Sequence, residues 1–231
     1  MILLLTNDDG IDAPGLAALE AAAEGLGTLR VVAPSGPQSG VGHAVTTHRD
    51  LLTCVDGQGR RHVDGTPADC VRLALHHLEP GLDWVVSGIN AGGNLGADVY
   101  HSGTVAAARE AALHGRRGVA LSHYIARGRP VDWTLAATWA RRVLDDLFAR
   151  PHVPGTFWSV NLPHPAPGDR EPEVVFCPFD PSPLPVAYRV DGDLARYAGD
   201  YHGRRRVPGA DVDVCFNGDI AVSRVRVEGA A

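Results

Sequence analysis

Five short, mostly unbroken apolar runs constrain this chain most tightly: Ile2 to Leu5, Leu29 to Ala33, Trp84 to Val86, Val119 to Leu121 and Phe157 to Val160. A strand with one wet face alternates apolar and polar residues, whereas a continuous run must be covered on both faces, the habit of a parallel sheet between helices. The segments between the runs have helical spacing. Leu16, Leu19, Ala23 and Leu26 form one stripe, with Asp12 and Pro14 placed to supply its cap and first turn. Thr66, Pro67 and Asp69 open a second helix, with Cys70, Leu73, His77 and Leu78 along its buried side. Asp132 opens a third, marked by Leu135, Trp139, Val143 and Leu147. Strands alternating with such helices predict an α/β, doubly wound, mostly parallel sheet.

From Pro151 onward prolines multiply, apolar runs shorten and Asn217-Gly218 marks a turn. This part reads as irregular segments and β-hairpins, packed on the main sheet or extended towards another subunit, with Arg204-Arg205-Arg206 in a solvated loop. At 231 residues and 45% hydrophobic composition, one α/β domain over residues 1–231 is the simplest reading, with 173–231 as its C-terminal extension.

The formal charge of -6 argues against a nucleic-acid polymer or an anionic membrane as partner. All 21 basic residues are arginine, which removes Schiff-base chemistry and the lysine of a P-loop. A phosphate bound here must meet arginine, backbone N–H groups or a metal. Cys54, Cys70, Cys177 and Cys215 form no C-x-x-C pair, and the chain opens on a strand-like run instead of a signal peptide, so a reduced, cytoplasmic protein is expected. No apolar stretch approaches the ~20 residues that span a bilayer.

Ligands of an open parallel sheet collect beyond the carboxyl ends of its strands. Three polar, glycine-rich segments fall there: Asn7-Asp8-Asp9-Gly10, Pro34 to Gly40, and Ser87 to Asn94. A single Asp in such a turn is ordinarily a cap. Two adjacent ones in a partly dry crevice repel, and a cation that neutralises both makes the arrangement sensible. Ser39 and Asn90 can add neutral oxygens, and an all-oxygen set favours Mg²⁺ or Mn²⁺ over zinc. His43 and His101 lie beside these loops as candidate substrate contacts. Ser102-Gly103-Thr104 precedes a helical stretch, where free N–H groups and the helix dipole can hold an anion; plain capping by Ser102 is the alternative.

These segments together resemble the SurE family of survival-protein phosphatases, which act as 5′- and 3′-nucleotidases. The resemblance rests on Ile2 to Gly10, Val32-Ala33-Pro34 with Gln38-Ser39-Gly40, Asp64 to Val71, Ser87 to Gly96, and Ser102 to Ala107, all in order along the first half of the chain. It implies a Rossmann-like sheet and a metal held by Asp8, Asp9, Ser39 and Asn90, with Asp8 and Asp9 as the catalytic pair. It places Asn94 and Ser102, Gly103 and Thr104 against phosphate, with Asn7 and Gly40 on the same substrate side. It further implies nucleoside monophosphates as substrates, one divalent ion as cofactor, and a homodimer or homotetramer with C-terminal contacts across subunits. Pro208 to Asp213 resembles the late family motif, although the chain ends soon after Val227 without the longer tail expected; His101 stands where tyrosine is expected, and Gly36-Pro37 where the loop is often polar.

Two rival readings remain distinct. A haloacid-dehalogenase-type phosphatase needs a nucleophilic Asp two residues before a second one, but Asn7 holds that place before Asp9, and that family's lysine has no counterpart. A nucleotide-binding sensor would use the same oxygens without turnover.

Overall fold

A computed structural model describes residues 1–126, 128–166 and 168–227. In chain order the regular elements are β1 (Ile2–Thr6), α1 (Pro14–Ala23), β2 (Thr28–Pro34), β3 (Thr53–Val55), β4 (Arg61–Val63), α2 (Pro67–Leu73), β5 (Trp84–Ala91), α3 (Gly103–Leu113), β6 (Arg117–His123), α4 (Trp133–Ala149), β7 (Thr156–Leu162), β8 (Val174–Phe176), β9 (Tyr188–Asp191), β10 (Leu194–Tyr197), α5 (Asp211–Phe216) and β11 (Ile220–Arg226). Nine of the described strands form one sheet in the order β3-β4-β2-β1-β5-β6-β7-β11-β8. From β4 to β7 the neighbours run parallel. β11 then enters antiparallel to β7 and parallel to β8. The pair β9 and β10 stands apart as an antiparallel hairpin.

The continuous apolar runs have the expected cause. Leu3 and Leu5 face one core with Leu16, Leu19, Trp139 and Leu144 of α1 and α4, while Leu4 between them faces a second core with Cys70, Val71, Ala107 and Ala111 of α2 and α3. Burial on both faces at ~1.5–3 kcal/mol per large aliphatic side chain leaves no position for a polar residue in β1 before Thr6. The sheet is therefore the doubly wound α/β arrangement.

Helix starts follow local chemistry. The Thr66 hydroxyl accepts from Asp69 N, and the Asp69 carboxylate accepts from Thr66 N, closing a capping box. Asp132 caps α4 by accepting from Leu135 N at 3.0 Å. α1 differs from expectation: Ala13 is its cap residue, Pro14 fills the first helical position, and the exposed Asp12 pairs with Arg60. α1 also stops at Ala23, so Leu26 packs from beyond its end. His77 is exposed, because a wider turn over Ala74–Leu78 rotates it off the buried face after α2.

The C-terminal segment departs further. Asp211–Phe216 forms a short helix where irregular structure was expected, and Asn217-Gly218 turns it into β11. Arg204 is turned inward instead of solvated, donating to Asp98 Oδ2 at 3.0 Å and to Leu95 O at 2.9 Å. Arg205 and Arg206 remain exposed.

Candidate active site

β1 and β5 are neighbours, and the chain leaves them in opposite directions along the sheet, β1 towards β2 and β5 towards β6. A crevice opens at such a switch point because successive connections cross to opposite faces. β5 is irregular there. Its register against β6 shifts between Ser87 and Asn90. Gly88 makes this possible: its φ is +141° and an added Cβ would lie 2.2 Å from Leu121 O. Such an irregularity re-aims the residues beyond it, here Asn90 and its neighbours.

A cavity of about 310 Å³ occupies the crevice. Asp8 and Asp9 enter from β1, Ser39 and Gly40 from the loop after β2, and Asn90 and Asn94 from the end of β5 and its loop. Ser102 and His101 line the side next to α3. Gly103 and Thr104 lie immediately behind, against Asp8. An added Cβ on Gly103 would sit 2.9 Å from Asp8 Cβ and 3.1 Å from Asp8 Oδ2, so glycine alone fits without displacement. The Thr104 hydroxyl donates to Asp8 Oδ1.

Asp8 is electrostatically unbalanced. Burial pushes its carboxyl up to about 6; the Thr104 hydrogen bond opposes this and the neighbouring Asp9 charge adds to it. Among the described residues neither Asp8 nor Asp9 forms an ion pair with an arginine or histidine. Among the described residues Asp9 Oδ2 accepts one bond, from Ala91 N at 3.2 Å. No group of three or more His, Cys, Asp or Glu suited to a metal occurs among the described residues, so any cation here would meet two carboxylates and neutral oxygens. Asn90 fits that role, since its Nδ2 donates to Gly92 O at 2.8 Å and leaves Oδ1 unspent. Two unneutralised acids with hard neutral donors around them fit a small divalent ion.

Asn94 Nδ2 donates to Ser122 Oγ at 2.8 Å, and its backbone is clamped by Asn161 through bonds of 2.8 and 3.1 Å, which fixes this residue in the cavity wall. The Ser102 hydroxyl caps α3 by accepting from Val105 N at 3.1 Å. The N–H groups of Gly103 and Thr104 donate to no backbone carbonyl among the described residues. The Thr104 N–H faces the Asp8 carboxylate, so the helix start offers the Gly103 N–H while both hydroxyls are engaged. Asn7 does not line the cavity. It is buried, and both ends of its amide are bound to Gly10, which sets the turn after β1. His43 also stays outside the cavity.

Three lining residues had no sequence signal: Asp98, Leu184 and Tyr201. The Tyr201 hydroxyl donates to Asp98 Oδ2 at 2.7 Å, and the Arg204 guanidinium lies 4.5 Å from the Tyr201 ring centroid. Burial, followed by the Asp98 charge, holds the Tyr201 phenol protonated well above its usual range. Asp211, in the late motif, accepts from Gly96 N and Asp180 N, each at 2.8 Å, and so ties the C-terminal segment to the loop that precedes α3.

Fold and site together define an α/β protein with an acidic, oxygen-lined crevice beside a helix start. The Survival protein SurE family model matches residues 3–178. A protein of Nostoc sp., provisionally named a 5′-nucleotidase, is 53% identical over 227 residues, covering 98% of this chain and 100% of that one. The 5′-nucleotidase SurE of Allorhizobium ampelinum is 39% identical over 238 residues, covering 99% and 92%. The crystal structure of the SurE protein from Aquifex aeolicus superposes with a TM-score of 0.87 at 28% identity, covering 100% of this chain and 95% of that one. This chain belongs to the SurE family.

Proposed function

We propose that this protein is a divalent-metal-dependent phosphomonoesterase that hydrolyses nucleoside 5′-monophosphates, and 3′-monophosphates beside them, to nucleoside and phosphate. The carrying observation is that two acids without basic partners share one cavity with Ser102, the cap of α3, directly beside the Gly103 N–H, which donates to no backbone carbonyl among the described residues. The 5′-nucleotidase names of the relatives agree with it.

Asp8, Asp9, Ser39 and Asn90 would hold the ion, Mg²⁺ or Mn²⁺. When bound, the ion supplies Lewis acidity and neutralises charge on phosphoryl oxygens. The chain's own groups do the rest. The Gly103 N–H, with the α3 dipole behind it, takes an equatorial oxygen of the phosphoryl group, and Thr104 beside it holds Asp8 in place. Asn94, through the second hydrogen of its Nδ2, and Gly40 bound the same space. Asp8 orients the attacking water and accepts its proton. Positioning and electrostatic complementarity are the terms that phosphoryl transfer chiefly requires. His101, Leu184 and Tyr201 form the outer wall, on the nucleoside side.

Oligomerisation through the C-terminal segment, to a homodimer or homotetramer, belongs to the same proposal. The β9–β10 hairpin carries Tyr188, Val190, Leu194 and Tyr197 exposed, with Val186 exposed just before it, more apolar surface than a lone hairpin needs. No helix among the described residues is long and apolar enough to cross a membrane.

Phosphate release from AMP, GMP and 3′-AMP, measured with Mn²⁺ or Mg²⁺ and again with excess EDTA, tests the activity. Release that requires the ion supports it. No turnover across a nucleotide panel, with the nucleotides still bound, would leave a binding protein in its place.

A further inference from the structure

The geometry points to His43 as a positioning residue that seats Ser39 in the cavity by bracketing its loop to α3, and this inference rests on Ser39 serving the metal site proposed above. The loop after β2 is pinned on both sides of Ser39-Gly40. Upstream, Gln38 N donates to Asp8 O at 2.7 Å. Downstream, Val41 N returns to Gln38 O and Gly42 N donates to His101 O, each at 3.2 Å. These backbone bonds tie the loop to the end of β1 and to the turn before α3. His43 adds a side-chain anchor to α3 itself.

Its imidazole makes two bonds to consecutive residues of α3. Nε2 lies 2.7 Å from Glu110 Oε2, and Nδ1 lies 3.3 Å from Arg109 Nη1. Arginine has no acceptor, so Nδ1 must be the lone-pair nitrogen; Nε2 then carries the proton and donates to Glu110. One neutral tautomer satisfies both contacts. Arg109 Nη2 also donates to Val99 O at 2.7 Å, in the turn that leads to Ser102. A single guanidinium thus spans the Ser39 loop and the turn before the phosphate-binding helix start, the two sides of the cavity.

Glu110 makes the bracket stiff. It is 2% exposed and accepts from three elements: His43 of the loop, Arg72 of α2 at 3.1 Å, and His114 one turn along α3 at 2.9 Å. Burial raises its carboxyl, but bonds from His43 and His114 outweigh burial and hold it below the usual range. His76 closes the outer end through a 3.1 Å contact with His114 Nδ1. None of these residues lines the cavity, so His43 acts on the chemistry by position, and Ser39, four residues before it, is the cavity residue on its own loop that the cycle below tests.

Mn²⁺ affinity measured on the full chain, by electron paramagnetic resonance of the free ion, tests this through a double-mutant cycle. His43→Leu and Ser39→Ala should each weaken Mn²⁺ about tenfold or more, in the range seen when residues supporting metal ligands are removed. If His43 works through Ser39, the double variant should bind within about threefold of Ser39→Ala alone. His43→Gln offers an amide donor to Glu110 and a carbonyl to Arg109, and should recover most of the loss. Turnover should follow the same pattern, with kcat falling more than KM rises. Losses that multiply in the double variant, or a folded His43→Leu protein with unaltered affinity, would overturn the inference. An unaltered Ser39→Ala protein would instead remove Ser39 from the metal site, and the role of His43 with it. Should His43→Leu fail to fold, His43→Asn, whose shorter amide cannot reach both Glu110 and Arg109, leaves the other bonds of those two residues in place and takes its place in the cycle.

Discussion

Replacing Asp8 by asparagine removes the one charge that this fold holds at greatest electrostatic cost without a cation. The Asp8 carboxyl stands at about 6 against an ordinary 3.8. At ~1.4 kcal/mol per pKa unit, the ionised form destabilises the metal-free native state by about 3 kcal/mol. The sign follows from linkage. A carboxyl whose native pKa is raised leaves the fold unpenalised below the unfolded value, and stability is lost as pH rises through the native one. The penalty is therefore about 1 kcal/mol at pH 4.5 and about 3 kcal/mol at pH 7.5. Asparagine keeps an Oδ1 to accept from Thr104, so little else changes. In a chain of this size, ~3 kcal/mol corresponds to roughly 6–12 °C in Tm. Thermal melts in EDTA should show Asp8→Asn above the parent at pH 7.5, with the gap narrowing at pH 4.5. Millimolar Mn²⁺ should raise the parent and leave the variant nearly where it was, while phosphate release by the variant is lost. An Asp8→Asn protein that melts below the parent in EDTA at pH 7.5, or a gap that does not narrow in acid, would refute the reasoning.

Two further outcomes follow from the same geometry. Gly103→Ala would bring a Cβ to 2.9 Å from that of Asp8, so turnover should fall at least tenfold while Tm moves by only a few degrees, which kinetics and a melt on one preparation can separate. Arg204→Met leaves the largely buried Asp98 without its cation, and should cost about 3 kcal/mol in urea unfolding; adding Asp98→Asn should recover part of that loss.

What the sequence disclosed was decided locally. Leu3, Leu4 and Leu5 announce burial on both faces because each is adjacent to the next, and Thr66 with Asp69 announces a helix start because the capping box closes within three residues. The meeting of Asp8, Ser39, Asn90 and Ser102 could be read because strand ends of a parallel sheet converge by topology. The wall made by Asp98, Leu184 and Tyr201 could not, since more than 80 residues separate Asp98 from Leu184 and no periodicity ties them. Arg204 misled for a related reason. Three consecutive arginines look solvated until one of them meets a buried carboxylate far away in the chain. Asn7 shows the converse: it sits within an obvious motif, yet its amide shapes the turn and does not line the cavity.

The place of β11 gives the crevice walls of different origin. β8 pairs with β11 and with no other described strand, so it keeps its place only while Ile220–Arg226 stays in the sheet, and the segment bearing Leu184 and Tyr201 runs between the two along the chain. Asp8, Asp9, Ser39 and Asn90 instead follow strands of the parallel core. Loosening β11 would therefore free the Leu184 and Tyr201 side of the crevice first and leave its acidic side standing.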